Sequence, residues 1–274
     1  MESLISYFTT IPSSHRSLIL VGGITFFWLL EGILPLVQFR YHKWKHAGVN
    51  FFFTFTTILV NFTLAFILLK TSDWAVANEF GLLQWLPEMS PWLYGLIGLL
   101  ALDLIGAYTV HWSEHKVKWM WKFHLIHHTD TYVDTTSANR HHPGESVFRF
   151  IFTTIGVLLI GTPMWIVFLY QSLSVVLSQF NHANISLPRW LDKGMSWVIV
   201  SPNMHKVHHH FQLPYTDSNY GNIFAIWDHI FGTYRDLSPD KIVFGVDTHM
   251  KPEEHNNLKN LLSIPFQKQR SPEN

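Results

Sequence analysis

Apolar runs of similar length punctuate the chain. Leu18–Val37 is a 20-residue stretch broken only by Glu31, Phe51–Leu69 is 19 residues without a charge, and Trp92–His111 is 20 residues whose one charge is Asp103. A helix of about 20 mainly apolar residues crosses a hydrocarbon core, so each run predicts a membrane span. The first is too long and too rich in Trp and Phe for a cleavable signal peptide, and no small-residue cleavage site follows it. A fourth run, Phe150–Phe180, has 31 residues. As one helix it would measure about 46 Å, well beyond a core of about 30 Å. Gly161-Thr162-Pro163 sits at its centre, and proline breaks a helix. The run therefore predicts a helical hairpin that enters the membrane and returns, its first arm short for a full crossing. The expected fold is all-α, an integral membrane protein with three to five membrane helices.

Charge placement orients these spans. Arg40, Lys43 and Lys45 follow the first, and Lys116, Lys118 and Lys122 follow the third. Thr71–Pro91 holds Asp73, Glu79 and Glu88 but no Lys or Arg. By the positive-inside rule, the first loop and everything after His111 face the cytoplasm, and the N-terminus faces out. Residues 183–274 mix polar and aromatic positions without a further span, and Gln267–Asn274 reads as a mobile tail. The expected division is 1–110 as N-terminal membrane helices, 111–234 as a chemistry-bearing unit including the 150–180 hairpin, and 235–274 as a cytoplasmic extension.

Composition narrows the chemistry. Of 274 residues, 14% are charged, with 19 basic against 19 acidic, compared with roughly 25% charged in an average soluble domain. A nucleic-acid binder would carry a basic excess, so no nucleic-acid partner is expected. Cysteine is absent, which removes disulfides, thiolate metal sites and Cys nucleophiles. Histidine is abundant: 12 of the 18 lie between His111 and His210, and they are grouped. His111 and His115 form HxxxH, His124, His127 and His128 form HxxHH, and His205, His208 and His209 form a second HxxHH. Residues at i, i+3 and i+4 share a helix face, and neutral imidazole suits Fe, Zn, Cu and Ni. Eight imidazoles exceed one four-coordinate site, so two metals are the economical reading. Because His111 ends a span and His182 follows the hairpin, the site belongs at the cytoplasmic membrane surface, within reach of a lipid.

HxxxH, HxxHH and HxxHH in this order between membrane spans resemble the fatty acid hydroxylase superfamily, the sterol desaturase-like membrane di-iron proteins. Phe123–Glu145 is similar to the stretch after the second box in the bacterial branch. Gln179–His182 resembles its isolated His segment, and Asn219–Tyr234 resembles the Trp-Asp…Phe-Gly-Thr segment after the last box. Glu31 with Pro35 looks like the first-span pattern. The resemblance runs from about Glu31 to Tyr234. It implies a cytoplasmic His-rich helical catalytic region with two non-haem iron ions, O2 as co-substrate, and hydroxylation or desaturation of a C–H bond in a sterol, fatty acyl chain or ether lipid drawn from the bilayer. The implied ligands are His111, His115, His124, His127, His128, His205, His208 and His209, with His142 and His182 where the family often has extra ones. One branch has a further His where this chain has Ser178.

Other residues have plainer expectations. Asp103 lies in an apolar span, where a carboxylate is a functional candidate. It precedes His111 by eight residues, about 12 Å along a helix, too far to share its metal. Asp103, Asp130, Asp134 and Asp228 are candidates for accepting the free N–H of ligating imidazoles, with capping or turn formation the other reading of Asp130 and Asp134. His141 and His210 adjoin ligands and point elsewhere on a helix, so they read as outer partners of the ligands or as exposed residues; His15, His42, His46, His229, His249 and His255 read as surface residues. Arg140 and Asn219 have no derivable role. No HExxH, GxSxG, P-loop or dinucleotide fingerprint is present, so electrons must come from a reductase, ferredoxin or cytochrome b5-type donor. The competing class is a His-rich membrane metal transporter or metal-binding protein, which would need ionisable residues along several spans. A structural zinc protein would not need eight His. Short termini without a retrieval signal favour a bacterial inner membrane over endoplasmic reticulum.

Overall fold

A computed structural model describes residues 1–268, 270 and 271. The expected mobile tail therefore falls partly outside the described residues, at 269 and 272–274. Among the described residues the regular elements are all helices, accompanied by isolated bridges such as Ile199 with Phe224. Its principal helices are α1 (Glu2–Thr9), α2 (Ser13–Ile33), α3 (Lys43–Ala77), α4 (Pro91–Lys116), α5 (Lys118–His128), α6 (Pro143–Ile160), α7 (Met164–His182) and α8 (Pro202–His208).

Among the described residues, α2, α4, α6 and a segment of Lys43–Trp85 that contains α3 are long and apolar enough to cross a membrane. The protein is thus a multi-pass integral membrane protein. Helix α3 outruns its apolar run at both ends, and its 35 residues extend about 52 Å. Its N-terminal turns leave the apolar run and bury His46 and Asn50. Helix α6 also starts earlier than expected. His142 Nδ1 accepts the Gly144 N–H at 3.0 Å, and Pro143 occupies the first turn, where a missing N–H costs nothing. The early start gives the first arm of the hairpin 18 residues, enough to cross.

The hairpin turn falls where the sequence placed it. Gly161 ends α6 with φ +70°, a left-handed conformation natural to glycine. A Cβ there would collide with the Phe80 carbonyl. Ser72 Oγ donates to the Thr162 carbonyl and Gln84 Nε2 to the Gly161 carbonyl, both at 2.7 Å. The turn is thereby pinned to the end of the α3 segment. Leu102, Val157, Ile160, Ile166 and Tyr170 form the core where α4, α6 and α7 meet.

Helix α4 carries one irregularity that bears on the site. Leu104–Thr109 is a π-helical turn, and Thr109 Oγ1 donates to the Leu104 carbonyl at 2.7 Å. The wider turn rotates His111 and His115, in the last turns of α4, relative to the apolar half of the helix. Such turns are frequent at functional sites.

Candidate metal centre

Two groups of imidazoles meet at the end of α4. In the first, ligand atoms of His111, His115, His124, His128 and His208 all lie within 4.8 Å of one another; in the second, those of His127, His182, His205 and His209 do so. Helix geometry explains the sorting. Successive residues are about 100° apart around an α-helix. On α5, His124 and His128 face one group and His127 the other. On α8 and at His209, which caps its end, the assignment is reversed: His205 and His209 face the second group and His208 the first. Each HxxHH box thus supplies both groups, and the two are held crosswise.

The nitrogen spacings suit metal ions. Nε2–Nε2 separations are 3.1 Å for His111–His124, 3.2 Å for His124–His128, 3.1 Å for His127–His182, 3.0 Å for His182–His205 and 3.2 Å for His205–His209. With metal–nitrogen bonds of about 2.0–2.1 Å, two nitrogens on one ion sit about 2.9 Å apart at a right angle and about 3.4 Å apart at a tetrahedral one. The observed values fall between. Shared protons could account for some of these approaches, but His115 Nε2 and His208 Nε2 are buried with no hydrogen-bond partner. Buried polar atoms without partners are costly, and a bound cation would satisfy them.

The opposite ring nitrogens show how the imidazoles are aimed. His111 Nδ1 donates to the Tyr220 carbonyl (2.9 Å), His208 Nδ1 to the Ser218 carbonyl (2.6 Å) and His182 Nδ1 to the Ser178 carbonyl (2.8 Å). His124 Nδ1 donates to Glu145 (2.8 Å) and His115 Nδ1 to Asp217 (3.2 Å). These partners only accept, so Nδ1 carries the proton and Nε2 turns its lone pair inward. Burial, then the neighbouring imidazoles, holds His124, His127, His128, His205 and His209 well below the ordinary histidine range. Burial likewise brings His208 down to about 4. The rings are neutral, as ligation requires.

Nine of the ten histidines named from the sequence thus come together, and His142 does not. It starts α6 and packs against Phe123, ring centroids 5.1 Å apart. Among the described residues, none of the four named aspartates hydrogen-bonds a box imidazole. Asp103 accepts the Ile223 and Phe224 amides and Trp227 Nε1. Asp228 accepts the Tyr220 and Gly221 amides. Together they fasten the loop whose Tyr220 carbonyl aims His111, so they act on the site at one remove.

Asp130 and Asp134 belong to a separate buried network. Both Asp130 oxygens lie 2.9 Å from His46 Nε2, and Ser137 donates to Asp130 at 2.6 Å. Burial works to raise Asp130, but His46 and Arg140 hold it well below the usual carboxylate range. Asp134 accepts from the Tyr41 hydroxyl (2.7 Å) and the Thr136 amide (2.8 Å). His46, His249 and His255, expected at the surface, are buried. His46 meets Asp130 and Asp134, and His255 Nδ1 lies 3.5 Å from Thr131 Oγ1, partners far away in sequence that local composition does not register.

Sequence reasoning also missed several positioning residues. Arg140 is fully buried and donates to the Ile126 carbonyl, Thr129, Asn50 and the His255 carbonyl, so it closes the end of α5 that carries His127 and His128. Lys206, fully buried on α8, donates to the carbonyls of His182 and Ala183 at the end of α7. Burial pulls its pKa down to about 7. Glu145 joins His124 to Arg149, which also binds Glu114 at 2.6 Å. The one available signal was a charge inside a His box, as with Lys206, or beside a His pair, as with Arg140 before His141-His142.

Comparison with known proteins gives the site a family. The family model described as Fatty acid hydroxylase matches residues 95–233, about half the chain and the stretch from α4 through the loop after α8. Among curated proteins, the chain is 23% identical over 148 residues to the ornithine lipid hydroxylase OlsE of Rhizobium tropici, covering 54% of this chain and 44% of that protein. It is 31% identical over 164 residues to alkylglycerol monooxygenase of Danio rerio, covering 60% and 35%. A cholesterol 25-hydroxylase-like protein of Danio rerio is 29% identical over 159 residues, covering 56% of each. The chain thus spans about a third to just over half the length of these relatives. No solved structure matches it.

Proposed function

The chain belongs to the fatty acid hydroxylase family, and from that premise we propose that it is an O2-dependent di-iron hydroxylase acting on a membrane lipid. One observation carries the reading: two adjoining imidazole groups at the end of a membrane helix, with ligand atoms gathered within 4.8 Å in each. In this reading His111, His115, His124, His128 and His208 hold one iron, and His127, His182, His205 and His209 hold the other. When bound, the irons would supply the oxidation: O2, two electrons and two protons convert a lipid C–H to C–OH, with one oxygen leaving as water. The electrons come from an external reductase, ferredoxin or cytochrome b5-type donor. Hydroxylation is favoured over desaturation because the relatives' names are those of hydroxylases and monooxygenases.

The chain's own residues prepare this chemistry. Glu145 and Asp217 fix the tautomers of His124 and His115, and the Tyr220 and Ser218 carbonyls fix those of His111 and His208. Lys206 ties α8 to the end of α7, so His205 and His182 keep their spacing. Burial excludes water, which protects a reactive centre from side reactions. The basic loops support a cytoplasmic position for this end of α4. The test is purification with iron and a reductant, metal analysis, and O2-dependent oxidation of lipid extracts, with lipid profiles of cells with and without the protein naming the substrate. Two irons per chain and an oxygenated lipid are expected; one zinc per chain, or full activity in His127→Ala, would overturn it.

A further inference from the structure

Helix α4 has 26 residues, about 39 Å of helix. A hydrocarbon core of about 30 Å takes up about 20 of them, so Asp103, the thirteenth residue, lies at mid-span. Its carboxylate is not turned to lipid; it accepts the Ile223 amide (3.3 Å), the Phe224 amide (3.1 Å) and Trp227 Nε1 (3.1 Å). Further along α4, Tyr108 stacks on Phe231 with centroids 5.2 Å apart, and its hydroxyl meets Thr233 Oγ1 at 2.9 Å. The segment after the last His box therefore sits against the membrane-depth part of α4, although its helix, Ile226–Ile230, is only five residues long.

The outer side of that segment is apolar and bare. Ile230 is 60% exposed, Phe231 55%, and the neighbouring Trp197 and Val198 are 66% and 62%. Trp197 stacks on His229 at 4.3 Å, which joins the two stretches into one surface. Beside it opens a cavity of about 360 Å³ lined by Trp190, Leu191, Gly194, Met195, Val198 and Ile199. Arg189 and Lys193, on the short helix Arg189–Met195 that carries part of this lining, lie near Asp236 with substantial exposure. Trp beside basic residues is the pattern of a membrane–water boundary.

We propose that residues 190–231 include a lipid-embedded apron: the face of Trp197, Val198, Ile230 and Phe231 sits in the bilayer beside α4, and the adjoining cavity takes an acyl chain of a membrane phospholipid. The occupant is identified by depth, because the segment is packed on the mid-span part of α4 and its bare apolar side chains lie where the bilayer surrounds that helix. The apron leads directly into α8, since Val200 N–H bonds the Ile223 carbonyl and Pro202 starts that helix.

The absence of cysteine makes the test direct. Trp197→Cys, Val198→Cys and Ile230→Cys, with Asp240→Cys as a water-facing control, are spin-labelled in the full chain in phosphatidylcholine–phosphatidylglycerol vesicles. Collision with O2 is compared with collision with a water-soluble nickel chelate. At the apron positions O2 collisions should dominate several-fold, and at Asp240 the chelate should dominate. Chelate access at the apron would overturn the proposal, and so would protection from both reagents, the mark of a second copy covering the face. For the cavity, a phosphatidylcholine with a diazirine on its acyl chain should cross-link to residues 190–199. Gly194→Trp, at a position where an added Cβ meets nothing within 4 Å, should cut that cross-linking several-fold; unchanged cross-linking would overturn the acyl-chain assignment.

Discussion

Two buried polar regions lie on either side of the end of α5, and they are built on opposite principles. One gathers nine imidazoles, all neutral and several with no partner for a ring nitrogen. The other, around His46, Asp130, Asp134, Arg140 and Asn50, pairs donors with acceptors. Like groups gathered in a dry interior are unfavourable unless something absent from the chain binds them. Complementary groups complete one another. The first region is therefore organised for a ligand, and the second organises the first: Arg140 and Asp130 brace the helix end and the turn on which His127 and His128 stand.

The sharpest way to break this contrast is to remove a member of each region. His208→Ala should abolish lipid oxidation and lower bound iron below two per chain, with the helical content of the purified protein largely kept; full activity would remove His208 from the site. Metal removal comes next. A chelator should lower the thermal midpoint in detergent, since a ligand held at 1,000 times its Kd stabilises by about 4 kcal/mol; an unchanged midpoint would mean the imidazoles need no ion. Arg140→Met, by contrast, should destabilise the protein by about 2–4 kcal/mol, because it leaves the Ile126 and His255 carbonyls, Asn50 and Thr129 without their buried donor; the loss should persist in metal-free protein. If it vanished there, the second region would depend on the metal and the contrast would fail. Glu145→Gln should lower iron affinity or activity by about 10–100-fold, as outer partners of metal-bound His do, with little change in the stability of the metal-free protein. Smallest is Tyr41→Phe, which removes one hydrogen bond to Asp134 and should cost about 1 kcal/mol of stability while leaving iron content unchanged.

Much of this was legible in the order of residues. Apolar runs marked the membrane helices because the bilayer demands length and composition, both local properties. Gly161-Thr162-Pro163 marked the hairpin turn because these residues constrain their own backbone. The HxxxH and HxxHH spacings marked chemistry because i, i+3 and i+4 share a helix face. What could not be read locally was partnership. His46 looked like a surface residue because its partners, Asp130 and Asp134, are 84 and 88 positions away in sequence. Asp103 looked like a candidate for orienting a ligand, and the packed chain turns it to the backbone of a loop 120 residues on.

The chain order alone therefore determined that this is a membrane protein with a His-rich centre, since hydropathy and helical period act within a few turns. Only the tertiary structure decided which imidazoles join which group and that His142 stands apart from both. The same level decided that Glu145, Asp217, Lys206 and Arg140 do the aiming. Those outcomes depend on how α5 and α8 are rotated against each other and against the ends of α4 and α7. That rotation is set by packing and by buried hydrogen bonds between residues that no local pattern brings together.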